Sequence, residues 1–200
     1  GFEAVLGGSP ADEVAAGDVL VPDGADTNVY VTPDRYWHVA DVTSNGVSLG
    51  ALAHVPCSNV QASVRFHAAF DPDLAALGTP HWWLAGHGLT NGGWTFDQAE
   101  LRNPDQDGHN SREEYVADTD PTNNASVFEI VAISNGSPSS VYFDSSAARV
   151  YTLEFRSNMV DGAWSNVPGM GPRTGVDGMD RMQADFTNSP RFFRVTVDFP

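Results

Sequence analysis

A twelve-residue segment, 103–114, constrains the structure of this chain more than any other feature of its sequence. It reads Asn-Pro-Asp-Gln-Asp-Gly-His-Asn-Ser-Arg-Glu-Glu, so that ligand-type oxygens fall at positions 1, 3, 5, 9 and 12 and glycine falls at position 6. This is the spacing of EF-hand-type calcium loops, in which a tight turn gathers oxygens around one ion. A solvated acidic turn is the alternative, because Asp, Asn and Gly are common in turns. Glycine at position 6 combined with glutamate at position 12 favours calcium.

The spacing also predicts which residues bind the ion. The expected oxygen donors are Asn103, Asp105, Asp107, His109 through its carbonyl, Ser111 directly or through water, and Glu114. Gly108 lets the backbone reverse, and Glu114 is expected to close the site with both carboxylate oxygens. Asparagine at position 1 supplies no negative charge, so we expect weaker binding than an aspartate there would give.

Two acidic residues beyond the loop have more than one expected role. Asp118 stands where a helix that leaves the loop would end, and Asp tolerates a positive φ better than most residues do. We therefore expect Asp118 to act as a helix stop. A second interpretation is that Asp118 and Asp120 are auxiliary oxygen ligands, for the same ion or for another.

The charge balance disfavours several classes of partner. The chain has 26 acidic and 10 basic residues, for a formal net charge of −16, and every basic residue is arginine. We expect no binding to nucleic acid or anionic lipid, because the sequence has no local basic patch to offset this charge. No apolar run approaches the about 20 residues of a membrane span, so no membrane insertion is expected.

The regions on both sides of the loop have the pattern of short β-strands. Alternating or β-branched runs and one Asn-Gly hairpin signal are seen at 28–32, 36–42, 45–46, 63–70, 128–132, 149–155 and 191–197. The predicted fold is mainly β, with two small β-sandwich modules joined by a short helical EF-hand-like connector. Its parts are an N-terminal strand and linker (1–18), a first β-sandwich module (19–77), the calcium-binding connector (78–124) and a C-terminal sandwich (125–200).

Short motifs follow one another in the first β region. They read Asn-Val-Tyr-Val-Thr-Pro-Asp at 28–34, Trp-His-Val-Ala-Asp-Val at 37–42, Asn-Gly-Val-Ser-Leu-Gly at 45–50, and Asn-Val-Gln-Ala-Ser-Val at 59–64 before Ala69-Phe70. In this order they resemble the immunoglobulin-like repeat modules of bacterial surface proteins. The resemblance covers about fifty residues, and Cys57-Ser58 departs from it where that family usually has aromatic or Thr residues.

The connector contains motifs of its own. Trp83-Leu84-Ala85, Gly88-Leu89-Thr90, the loop itself and Thr119-Asp120-Pro121-Thr122-Asn123 occur in sequence. Residues 80–124 thereby resemble the thrombospondin-type-3-like or dockerin-like calcium segments of exported verrucomicrobial and related proteins. Asn103 and Asp118 depart from that pattern, which usually has Asp and Gly there. Residues 125–200 contain Arg149-Val150-Tyr151-Thr152-Leu153, Asp161-Gly162-Ala163-Trp164 and Phe192-Phe193-Arg194-Val195. With these motifs they resemble the small β-sandwich that follows such segments, which implies an exported protein.

These observations lead to an expected function. The sequence has no nucleophile elbow and no phosphate-binding loop, and its histidines are dispersed, so we expect no enzyme activity. A non-enzymatic extracellular structural or adhesive module, rigidified by Ca²⁺, fits best. A carbohydrate-binding module is the alternative, and a catalytic accessory module is a third. The candidate tryptophans for glycan stacking are Trp37, Trp82, Trp83 and Trp164.

The N-terminal segment raises the prospect of assembly. Phe2-Glu3-Ala4-Val5-Leu6 is apolar and strand-like, and Gly7-Gly8-Ser9-Pro10 separates it from the first module. Donation of this strand to the sheet edge of a second copy would build a surface fibre or filament. The alternatives are a strand of its own sandwich and an unstructured or trimmed N-terminus.

Overall fold

A computed structural model describes residues 2–8, 19–134, 136, 138–160, 162–185 and 192–200. Over these residues the chain is mainly β, with three short helices, which confirms the predicted fold class at that level. The chain divides into two compact units, Gly1–Asn91 and Gly92–Pro200. The predicted connector 78–124 has residues in both units, and its boundaries stay a prediction.

The described residues of the first unit form six strands and one helix. These are β1 Phe2–Gly8, β2 Ala25–Pro33, β3 Trp37–Ser44, β4 Val47–Ser48, β5 His54–Val60, β6 Phe66–Pro72 and α1 His81–Gly86. One sheet has the order β1-β2-β5 and the other β4-β3-β6. The β3–β4 turn at Asn45-Gly46 has positive φ at both residues, as the Asn-Gly hairpin signal predicts.

Both sheets of the first unit contribute to one apolar core. Its buried members are Leu6, Val29, Val31, Val42, Val55 and Phe70. In β2, Val29 and Val31 are buried while Tyr30 between them is exposed, because alternate side chains of a strand point to opposite faces.

Strand β1 belongs to the sheet of its own unit. It pairs in parallel with β2, and Leu6 lies opposite Val31 in the register. Leu6 is 5% exposed, whereas Val5 is 60% exposed. This is the arrangement that the sequence left open as an alternative to strand donation. The linker was expected to begin at Gly7, but Gly7 and Gly8 continue β1 and pair with Thr32 and Pro33. The rest of the expected linker, 9–18, lies outside the described residues.

In the second unit, the part of the chain that the structure describes forms two helices and seven strands. These are α2 Phe96–Ala99, α3 Ser111–Ala117, β7 Ile130–Ser134, β8 Ser139–Ser145, β9 Val150–Arg156, β10 Ser165–Asn166, β11 Arg173–Thr174, β12 Gly178–Ala184 and β13 Phe192–Asp198. One sheet has the order β12-β8-β7. In the other, β9 pairs with β10 and β11 and also with β13.

The core of the second unit joins its two sheets. Its buried members are Val141, Phe143, Tyr151, Leu153, Val167, Met182 and Ala184. Phe143 and Tyr151 come from different sheets, and their ring centroids lie 5.3 Å apart. No helix among the described residues is long and apolar enough to cross a membrane.

Candidate cation site

The loop 103–110 is closed at its base by the backbone on either side of it. The Ser111 amide donates to the Arg102 carbonyl at 2.7 Å, and the Arg112 amide donates to the Glu100 carbonyl at 2.8 Å. The buried Ser111 hydroxyl also donates to the Arg102 carbonyl, at 3.0 Å. The ends of α2 and the start of α3 therefore hold the two ends of the loop together.

Within the loop, side-chain oxygens fold the backbone. The Gln106 amide donates to Asn103 Oδ1 at 2.7 Å, and the His109 amide donates to Asp107 Oδ1 at 2.8 Å. Asp105 Oδ1 accepts a longer bond, 3.3 Å, from the Asp107 amide. Such bonds from Asp and Asn to amides two or three residues on are typical of tight polar turns. Each aspartate thus uses Oδ1 for the turn and keeps Oδ2.

Helix α3 delivers the last carboxylate of the loop. Asn110 is its N-cap: its side chain accepts from the Glu113 amide, and the Glu113 carboxylate accepts from the Asn110 amide, both at 2.9 Å. This reciprocal arrangement is a capping box, which fixes the first turn of a helix. It places Glu114 in that turn with its side chain facing the loop, and Glu114 is 1% exposed.

Three carboxylates converge as a result. Asp105, Asp107 and Glu114 each offer an oxygen, and these oxygens lie within 4.8 Å of one another. Within the described part of the chain, Asp105 Oδ2, Asp107 Oδ2 and Glu114 Oε2 are buried and lack a hydrogen-bond partner. Oxygens bound to one calcium ion at about 2.3–2.6 Å are at most about 5 Å apart. The separation therefore fits joint coordination of one ion.

The surroundings of Glu114 disfavour its ionised form. Burial raises the pKa of Glu114 from its ordinary value of 4.5 to about 7, and the charges of Asp105, Asp107 and Asp120 add to the rise. The Thr119 hydroxyl, which donates to Glu114 Oε1 at 3.4 Å, opposes it. A buried carboxylate beside other carboxylates is unfavourable when ionised. A divalent cation would remove this penalty.

The other predicted ligands occupy different surroundings. The Asn103 side chain accepts a hydrogen bond within the turn. The ring of His109 lies 3.8 Å from Glu113 Oε2, whereas the predicted ligand atom of His109 is its backbone carbonyl oxygen. Asp120 Oδ1 accepts from the Thr122 amide and hydroxyl, at 3.0 and 2.7 Å. Asp120 is near enough to affect Glu114 but is not among the three converging carboxylates.

Asp118 ends helix α3, as the sequence predicts. It adopts φ 63 and ψ 42, and its amide donates to the Glu114 carbonyl. Its carboxylate contacts residues of the turn between β8 and β9: Oδ2 accepts from the Ser146 hydroxyl at 2.5 Å and Oδ1 from Arg149 at 3.3 Å. The structure therefore does not bring Asp118 to the three converging carboxylates.

Two features near the site were missed by the sequence reasoning. The capping box could have been recognised from the sequence, because Asn110 stands three residues before Glu113. The contacts of Arg149 with α3 could not have been recognised, since they join residues more than thirty positions apart.

Comparison with known protein families, characterised proteins and solved structures found no match to this chain. The resemblances to surface-repeat modules and to dockerin-like segments stay predictions.

Proposed function

We propose that this chain is a non-enzymatic, calcium-binding structural module of an exported protein. Asp105, Asp107 and Glu114 would bind Ca²⁺, with Asn103, the His109 carbonyl and Ser111 completing the coordination. The observation that carries the proposal is the set of three buried carboxylate oxygens that converge and lack partners.

The donor chemistry favours calcium over other ions. All the proposed donors are oxygens, which suit hard cations, whereas zinc sites are usually built from Cys and His. Mg²⁺ requires near-ideal octahedral geometry at about 2.0–2.1 Å and dehydrates reluctantly. A loop whose carboxylates are already fixed by turn hydrogen bonds suits the larger and less demanding ion.

The role of the ion in this proposal is mechanical. Binding to the folded loop alone stabilises the fold by RT ln(1 + [L]/Kd), which is about 2.7 kcal/mol when the free ion is at 100 times its Kd. Calcium would thereby hold α2, the loop and α3 as one rigid piece of an EF-hand-like connector, linking two small β-sandwich modules. Extracellular calcium modules work at about 10⁻⁴–10⁻³ M, which suits an exported protein.

Calorimetric titration tests this function directly. The wild-type chain, first stripped with a chelator, should bind one Ca²⁺ with release of protons near neutral pH, and Mg²⁺ should bind much more weakly. Glu114→Gln keeps the shape of the side chain and should abolish binding. Glu129→Gln is the matched control, because Glu129 is exposed and outside the loop. A wild-type chain that binds no calcium at millimolar concentration contradicts the proposal.

A carbohydrate-binding module is the second candidate, and one observation favours it. Trp82 is 42% exposed, whereas Trp83 is 9% exposed. Trp37 packs against the core of its unit, and Trp164 lies beneath Arg156 and Arg194 at 4.9 and 4.6 Å. Of the four candidate tryptophans, Trp82 therefore offers the best surface for stacking against a sugar ring. Glycan-array binding that is lost in Trp82→Ala would support this function, and an array without signal would reject it.

Self-association through residues 2–6 stays a prediction. Because β1 is paired with β2 and buries Leu6, exchange between copies has to open this pairing first. Light scattering on the full chain and on a chain without residues 1–8 tests it. Filament growth that requires residues 1–8 is the expected result, and a full chain that remains monomeric at high concentration in calcium rejects the idea.

A further inference from the structure

The Arg149 side chain lies at the C-terminal end of α3, the helix that carries Glu114. It directly precedes β9 and is 7% exposed. Its Nε donates to the Val116 carbonyl and its Nη2 to the Tyr115 carbonyl, both at 2.7 Å. Nη2 also lies 3.3 Å from Asp118 Oδ1. One guanidinium thus contacts two carbonyls of α3 and the residue that ends the helix.

These contacts compensate for what a short helix lacks. The last carbonyls of a helix have no partner within it, and a cation there is favourable for both hydrogen bonding and the helix dipole. Helix α3 has only seven residues, which is too short for stability on its own. Because Tyr115 and Val116 directly follow Glu114, fixing their carbonyls also fixes the direction in which Glu114 points.

The other side of Arg149 is joined to the β core. The Arg149 amide donates to the Ser146 carbonyl at 3.1 Å, and the Gly175 amide donates to the Arg149 carbonyl at 3.1 Å. The Ser146 amide donates to the hydroxyl of Tyr151 at 2.8 Å, and Tyr151 is a buried member of the core. The turn 146–149 therefore connects α3 to the start of β9 through a continuous set of hydrogen bonds.

We propose that Arg149 is a positioning residue that couples the cation site to the β core of the second unit. The inference rests on the proposed calcium site and names the residue through which ion binding would affect the β core. Calcium bound to Glu114 would stabilise the orientation of α3 that Arg149 contacts. Arg149, in turn, would keep the Glu114 carboxylate in the orientation that binds the ion. Such coupling is reciprocal, so each partner strengthens the other by the same factor.

Two Arg149 variants test the first direction. Arg149→Met keeps much of the side-chain length but removes every donor, and we expect it to weaken Ca²⁺ binding about tenfold, within the usual range of coupling between sites. Arg149→Lys keeps the charge without the planar fork, so it should recover only part of the affinity. Arg181→Met is the control, because it removes one exposed arginine from the same unit and tests net charge alone. Arg149→Met with wild-type affinity overturns the coupling.

Hydrogen exchange on the unsubstituted chain, with and without calcium, tests the second direction and does not depend on a variant that folds. Calcium should slow exchange of the Arg149 and Gly175 amides about tenfold. If the wild type binds calcium but these amides exchange at the same rate with and without it, the coupling is wrong while the proposed function stands. If the wild type binds no calcium, both fail.

Discussion

The raised pKa of Glu114 gives the stability of this protein an unusual dependence on pH when no calcium is present. An acid whose pKa is higher in the folded state carries no penalty while it is protonated in both states. As pH rises from 4.5 to about 7, the unfolded chain loses the proton and the folded chain keeps it. The free energy of unfolding should therefore fall across this window and stay low above it.

The size of this fall follows from the pKa. A rise from 4.5 to about 7 corresponds to about 3 kcal/mol at 1.36 kcal/mol per pH unit. Water and salt screen a loop at the surface, so we take roughly 2 kcal/mol as the expected loss. Glu114→Gln removes the titrating group, and its stability should lack this loss. In excess calcium the proposed site predicts the opposite sign, because a bound ion would hold the carboxylates ionised and acid would have to displace it.

Urea unfolding of the wild type and Glu114→Gln at several pH values between 4.5 and 8, with chelator and with calcium, measures both effects. The quantity that matters is the difference between the two proteins, because the other titrating groups are common to both. A difference that does not change with pH in chelator would refute the reasoning about burial of Glu114. If the difference in stability between the two proteins depends on pH in calcium as it does in chelator, the assignment of Glu114 as a ligand is refuted.

Three further predictions concern single residues. Leu6→Ala should destabilise the first unit by about 2–5 kcal/mol in chemical unfolding, while the exposed control Val5→Ala should have little effect. Asp118→Ala should lower the melting temperature more than Asp118→Asn, because Asn tolerates the left-handed conformation and Ala does so at a cost of about 1 kcal/mol; equal losses would contradict this. Asn103→Asp should tighten Ca²⁺ binding in calorimetry, since it adds a carboxylate at loop position 1; unchanged affinity would argue against Asn103 as a ligand.

Local features of the fold could be predicted from the sequence because their causes are local. Alternation in β2 located a half-buried strand, and the Asn45-Gly46 pair located the hairpin turn. The positive φ of Asp118 followed from its side chain and its place after a helix. The convergence of Asp105, Asp107 and Glu114 could be predicted from their spacing, because side-chain bonds to amides two or three residues on fold a short polar loop tightly.

The remaining features depend on residues that are distant in the sequence. Strand β12 was missed because Asp180 interrupts its apolar residues, and this aspartate is buried only because Arg173 and Ser145 pair with it. Trp82 and Trp83 are neighbours, yet only one is buried, since adjacent residues of a helix point in directions about 100° apart. The sequence alone does not say which of the two faces inwards.

The backbone closure beneath the loop has a consequence for the rate at which the proposed calcium site would exchange its ion. The Ser111 and Arg112 amides join the two ends of the loop through hydrogen bonds that involve none of the three converging carboxylates. An ion arriving at the proposed site would therefore find the loop ends already together and would not wait for a chain to close. Differences in affinity among loop variants would then be expressed mainly in the dissociation rate of the ion.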